Sequence, residues 1–377
     1  MLGINDFISS DGWLTHFKDR HDLVFKSLCA EKESVNQETC ATWKDGKLRE
    51  YLGEYRPEDI FNADETAFFY QLLPEKTLTL KHDDCAGSKC SKEKVSVLIT
   101  ANMTGMERCR LLVIGKAAKP PCCKGVKTLP MDYESNKKAW MTAEIFKSWK
   151  TKLDRKFASS NHKVFLVDHC SAHVNVPALS AIRLAFLPAN TTAVLQPMDQ
   201  GIIKNVKVQY RRHLLERMIL CMDNSAKYEV SLLSAIHMLA RAWDRMKETI
   251  ANCFAACGFV AASSEDASAI SLEEASTSEL DGTDFADALG DVNFEAYVTV
   301  DKAVETCGAL TDNEIVEIIR PQEANQESDD DVEDEPQPKA ADAAAGLALA
   351  EHFFATEGNV EEAFRHIYSL QNLLTAA

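Results

Sequence analysis

The chain has 377 residues, 46% hydrophobic and 26% charged, ordinary values for a globular protein with room for two or three domains. No stretch reaches the roughly 18 apolar residues that a membrane helix needs, and MLGINDFISSDGW lacks the basic start and long apolar core of a secretory signal. The net charge of −17 is unevenly spread: 261–377 holds 28 Asp/Glu against 4 Lys/Arg, whereas 1–260 holds 30 against 37. A mildly basic body suits a polyanion partner, and the acidic third either screens that partner or is a solubilising, solvated segment. The 12 cysteines are expected to be free thiols. Neither Cys85 with Cys90 nor Cys122 with Cys123 has a zinc-ligand pattern.

Residues 1–28 read as one or two short helices, with Phe7, Trp13, Leu14 and Phe17 as the apolar face. The polar stretch 29–56 reads as a linker. From Pro57 the texture changes, and NADETAFFY is a candidate strand. KVSVLITANMTGMERCRLLVIGK, 94–116, predicts two strands around a turn at Thr104-Gly105. Residues 116–136, rich in Pro, Lys and Cys, read as a loop. Trp140, Ile145, Trp149 and Leu153 have helical spacing within 138–157, and both tryptophans are expected in the core. A strand at 163–168, a short helix near 177–182 and a strand at 182–187 follow, and a helix opens over 196–219. Leu232, Ile236, Leu239, Trp243, Met246 and Ile250 make one apolar stripe.

Residues 256–293 have linker composition, with nine acidic residues and no Lys or Arg from 261 onward. The remainder, 294–377, is an acidic region with short helices. FEAYVTVDKAVETCGALTDNEIVEIIR can order, SDDDVEDEPQP breaks the chain, and Asn359 with Glu362 fits a capping box.

This order of strands and helices predicts a mixed α/β domain over 57–255. Three aspartates stand at its marked points. Asp64 lies in the first strand, Asp168 ends the apolar run Val164–Val167, and Asp199 sits at the start of a helix in QPMDQG. Strand ends on one sheet edge converge, and a helix N-terminus favours a carboxylate. Three carboxylates together repel unless a cation joins them, and an all-oxygen donor set suits Mg²⁺ or Mn²⁺. Two such ions act on a phosphodiester by activating water and stabilising the leaving oxygen. The plainer reading is that strand-end Asp residues serve turns and caps.

Two further patterns remain open. His169 and His173 have zinc-pair spacing on a helix, but no third ligand is evident. Lys204, Lys207 and Arg211 fall on one helix face with Arg212 beside it, either to contact phosphates or as a solvated surface. Glu65 neighbours Asp64 on a strand, so its side chain should face the other way.

FNADETAFFYQLLP, KVSVLITANMTG, LLVIGKAAKP, NKKAWMTAEIF, LVDHCSAH, FLPANTTAVLQPMDQGIIK and the following YRR are similar to the DDE domain of pogo/Tigger transposases. That family includes centromere protein B-like and Jerky-like members. The thirty residues between Asp168 and Asp199 match the spacing of pogo elements. The resemblance covers about 57–255 and implies an RNase H-like fold with Asp64, Asp168 and Asp199 as metal ligands. It also implies DNA cleavage and strand transfer, DNA as partner, and a nuclear location. No small-molecule substrate is implied, and a homo-oligomer is left open. FISSDGWLTHFKDRH resembles the end of a centromere-protein-B-type helix-turn-helix, whose earlier part is not in this sequence. His173 matches a family histidine near the site, and Gln196 lies in a motif loop that positions Asp199 or the DNA. The family usually has Asn where His169 stands, next to a ligand. It usually has Gly at Ala67, Pro at Ala189 and Ser at Ala117. None of these departures removes a ligand. The rival reading is a catalytically silent, transposase-derived scaffold.

Overall fold

The computed structural model describes residues 35–73, 93–173, 179–223, 228–246, 248–260 and 294–307, plus single positions at 16, 20, 346 and 370. The helix-turn-helix remnant, most of the acidic linker and the helix after Asn359 lie outside them, and of the short helix expected near 177–182 the described part, 179–182, is not helical and runs into a strand at Ile182. The chain divides into two compact units, Met1–Leu310 and Thr311–Ala377. The first carries everything below.

Its centre is a six-stranded sheet of β1 (Ile60–Phe69), β2 (Lys94–Asn102), β3 (Leu112–Gly115), β4 (Asp132–Ser135), β5 (Lys163–Val167) and β6 (Ile182–Phe186). The spatial order is β4-β3-β2-β1-β5-β6. β2 is antiparallel to both β1 and β3, while β3–β4, β1–β5 and β5–β6 are parallel. Only β2 therefore runs against the others, and the carboxyl ends of the remaining five share one edge. Both faces are covered at the centre of the sheet, so β2, β3 and β5 are buried along nearly their whole length and read largely as apolar runs.

On one face Ile60, Phe68, Ile99 and Leu166 pack against the helices α5 (Ile202–Asp223), α6 (Leu232–Asp244) and α7 (Glu248–Ala256). On the other, Phe61, Ala63, Phe165 and Val167 meet Phe146, Trp149 and Phe157 of α3 (Ala143–Phe157). Thr142 caps α3 by accepting from the Ile145 N–H at 3.3 Å. Phe61 and Phe165 stack at 4.7 Å and 5° across β1 and β5, a pair worth about 0.5–1.5 kcal/mol beyond its buried area. The architecture is an RNase H-like mixed sheet flanked by helices.

Four local expectations need correction. The stretch read as a linker holds α1 (Gln37–Trp43) and α2 (Arg49–Glu54), joined by a π-helical turn, Lys44–Leu48. Trp43, Leu48 and Tyr51 are buried there, and Trp43 meets Phe259 at 6.3 Å. The expected loop 116–136 ends in β4, a short strand with every residue half-buried. Trp140 is half-buried rather than core, with the ammonium groups of Lys94 and Lys138 at 5.3 and 4.5 Å from its ring. The helix expected from 196 is broken: a short α4 (Thr192–Leu195) and a 3₁₀ turn (Pro197–Gln200) precede Gly201, whose φ of 145° interrupts the run before α5.

Residues 294–307 pack on this body. Tyr297 of α8 (Phe294–Thr299) donates to the Leu72 carbonyl at 2.7 Å. Further along, the Thr306 carbonyl accepts from the Met141 N–H at 2.7 Å.

Candidate metal centre

The carboxyl edge of the sheet gathers the acidic residues. In the parallel β1–β5 ladder Asn62 is level with Leu166, so Asp64 and Asp168 follow two residues later on neighbouring strands. Asn62 is fully buried and pins three elements together. Its side chain donates to the Leu166 carbonyl at 2.9 Å and accepts from the Met198 N–H at 2.9 Å. Met198 belongs to the 3₁₀ turn that carries Asp199, so one amide ties β1, the end of β5 and that turn. Asn62→Ala orphans a buried donor and a buried acceptor, each costing about 1–3 kcal/mol. Chemical denaturation of the variant should show a total loss of about 2–6 kcal/mol, and a midpoint unchanged from the parent would contradict the account.

Asp64 is buried and Asp168 half-buried, while Asp199 is exposed. Burial pushes the Asp64 carboxyl well above the usual range, and the carboxylates of Asp199, Glu65 and Asp168 add to it. A hydrogen bond from Gln196 works the other way. Gln196 also donates to Asp199 at 3.4 Å, so it links two of the three aspartates, while its Oε1 is buried with no partner. Asp199 and Asp168 thus both lie within electrostatic reach of Asp64, which is destabilised as an anion. That crowding, the all-oxygen donor set and the open side at Asp199 fit a divalent cation.

Among the described residues, the group of three potential ligands drawn within 4.8 Å is a different one: Glu65, Asp168 and His173. The alternation of β1 does send Glu65 to the α3 face, away from Asp64. There its Oε1 lies 3.0 Å from His173 Nε2, and His173 Nδ1 lies 2.7 Å from Asp168 Oδ1. The imidazole is buried and packs on the Phe146 ring at 4.2 Å. Burial opposes its charge, but the Glu65 and Asp168 carboxylates outweigh that and push the ring up to about 11. Sequence reasoning set Glu65 aside; the histidine five residues past Asp168 was the available signal. His169 is exposed, with its ring tilted against Phe186 at 4.9 Å, whereas His173 is buried between Glu65 and Asp168.

Half of the basic stripe on α5 is buried rather than on the surface. Lys207 and Arg211 are buried and converge on Asp301, which accepts from both and from the Phe69 N–H. Burial pushes the Lys207 ammonium down, and the Asp301 carboxylate works against that. The partner is supplied by a segment some ninety residues away, which is why helix periodicity alone misplaced these two cations. Lys204 is exposed and pairs with Glu295 at 2.9 Å, and Arg212 lies 3.6 Å from Glu216.

Residues 92–254 match the DDE superfamily endonuclease family. The whole chain aligns at 32% identity with the mouse (Mus musculus) Tigger transposable element-derived protein 4, covering 76% of it. The chain belongs to the pogo/Tigger family of transposase-derived proteins. Human (Homo sapiens) major centromere autoantigen B is 28% identical to this Tigger-type chain over 68% of the chain, which spans 47% of that relative's length. Among solved structures, the Mos1 transposase paired-end complex with left transposon end overlaps 65% of the chain and 70% of its own, at 13% identity and a TM-score of 0.32. The strand order, not that loose overlap, defines the fold here. No helix among the described residues is long and apolar enough to cross a membrane.

Proposed function

We propose that this Tigger-type chain is a divalent-cation-dependent DNA endonuclease and strand transferase acting in the nucleus. The observation that carries this is the buried Asp64 carboxyl, crowded by Asp199 and Asp168 at the carboxyl edge of the sheet. Asp64, Asp168 and Asp199 would hold Mg²⁺ or Mn²⁺, and bound cations supply Lewis-acid stabilisation and an activated nucleophile. In cleavage, a water oxygen forms a new bond to phosphorus and the P–O bond to the leaving 3′ oxygen breaks, that oxygen taking up a proton. In transfer, a 3′-hydroxyl replaces water as the attacking group. Gln196 would keep Asp64 and Asp199 facing one another, and Asn62 would fix the turn beneath them. Of the four basic residues of that stripe on α5, Lys204 and Arg212 retain access to solvent for phosphate contact. Buried and ion-paired, Lys207 and Arg211 support the helix instead.

Incubation of the full chain with supercoiled plasmid tests this. Relaxed circles should appear with Mg²⁺ or Mn²⁺ and vanish with a chelator. Plasmid that is bound yet never nicked under either ion supports the silent scaffold instead. Imaging of the tagged full chain checks the nuclear location, and exclusion from the nucleus contradicts it.

A further inference from the structure

We infer that Glu65, reaching through His173, is a positioning residue that orients the Asp168 carboxylate toward the cation. The inference rests on the metal-dependent reading above and deepens it. Asp168 stands just past the last residue of β5, where no ladder hydrogen bond fixes it, and its side chain is 28% exposed. A free aspartate there would sample several rotamers. Instead its Oδ1 is held twice, by His173 Nδ1 at 2.7 Å and by the Cys170 N–H at 3.3 Å. Both holds fall on the same oxygen, which leaves Oδ2 available to a cation.

The imidazole can do this only if its own orientation is fixed. Three contacts fix it. Glu65 accepts at Nε2 at 3.0 Å, Phe146 packs against the ring at 4.2 Å, and Nδ1 lies 3.3 Å from the Asp168 carbonyl. Glu65 and His173 have side-chain exposures of 2% and 1%, so water does not replace either partner. The polar chain therefore runs from the α3 face of the sheet to its edge. Asp64 approaches from the opposite face, and Asp168, at the strand end, is reachable from both. A buried carboxylate so placed serves as the anchor of a ligand-orienting hydrogen bond, an arrangement whose loss typically costs about 10–100-fold in metal affinity.

The test is Mn²⁺ binding to the full chain, followed by electron paramagnetic resonance of the free ion, with thermal melts of every variant. Glu65→Ala should weaken Mn²⁺ binding by about 10–100-fold. Glu65→Gln, whose amide oxygen still accepts from His173, should recover most of the loss. Glu65→Leu, of similar bulk, carries the comparison should the alanine variant unfold. In an Asp168→Ala background Glu65→Ala should cost nothing more, because the two act as one unit. Equal Mn²⁺ affinity in the parent and in folded Glu65→Ala or Glu65→Leu overturns the inference while leaving the metal reading intact. An equal further loss in the Asp168→Ala background also overturns it. A parent that binds no Mn²⁺ sinks the metal reading, and the inference with it.

Discussion

Asp168→Ala should reduce metal-dependent plasmid nicking by at least about 10²-fold, because Lewis-acid stabilisation is worth several kcal/mol and each 1.4 kcal/mol is tenfold in rate. The variant removes one of three carboxylates and, with it, the group that His173 and the Cys170 N–H hold in place. The fold should survive, since the side chain is 28% exposed and the β5 ladder ends before it. DNA binding without metal should therefore stay near that of the parent. The informative result is the separation: binding retained, nicking lost. Nicking equal to the parent would place the chemistry elsewhere, or show that a contaminating nuclease produced it.

Asp301→Ala should destabilise the body by about 3–5 kcal/mol, the usual cost of breaking a buried ion pair by removing one partner. Its carboxylate has no exposure, and it serves Lys207, Arg211 at 2.8 Å and the Phe69 N–H at 3.1 Å. The alanine leaves two buried cations on α5 without their counter-ion. Arg211 would keep its bonds to the Phe69 and Leu72 carbonyls, and Lys207 has no such substitute. Given a stability of about 5–15 kcal/mol for ordinary domains, that is a large share, and the melting midpoint should fall by roughly 10 °C. Lys204→Ala, which breaks the exposed pair with Glu295, is the contrast and should cost no more than about 1 kcal/mol. Similar melts for the two variants would show that Asp301 does not hold residues 294–307 and α5 together.

What the sequence disclosed followed physical rules that act locally. β2 and β5 were legible because both faces of the sheet are covered there, so each is largely an apolar run. The six-residue stripe from Leu232 to Ile250 was legible as a buried face, but its spacing reads as one helix, and the structure divides it between α6 and α7 with Met246 outside both. β4 was hidden because its sequence, DYES, is polar and joins the sheet at one edge only. α1 and α2 were hidden because the π-helical turn at Lys44–Leu48 shifts the spacing of their few buried residues. Asp64, Asp168 and Asp199 were marked by their places in a strand, at a strand end and at an expected helix start, and the family motifs selected them from many other aspartates. Glu65 was missed because alternation was asked only where it points relative to Asp64. A residue at a strand end, such as Asp168, belongs to neither face. Lys207 and Arg211 were misplaced because their partner, Asp301, is distant in sequence, and nothing on the helix itself reveals it.

The most direct measurement is anomalous scattering from Mn²⁺ soaked into crystals of the full chain. The account predicts manganese at the carboxyl edge of the sheet, ligated by Asp64, Asp168 and Asp199, with Glu65 still bonded to His173. Manganese held by Glu65 and His173 with Asp199 turned away, or no manganese at that edge, would contradict it.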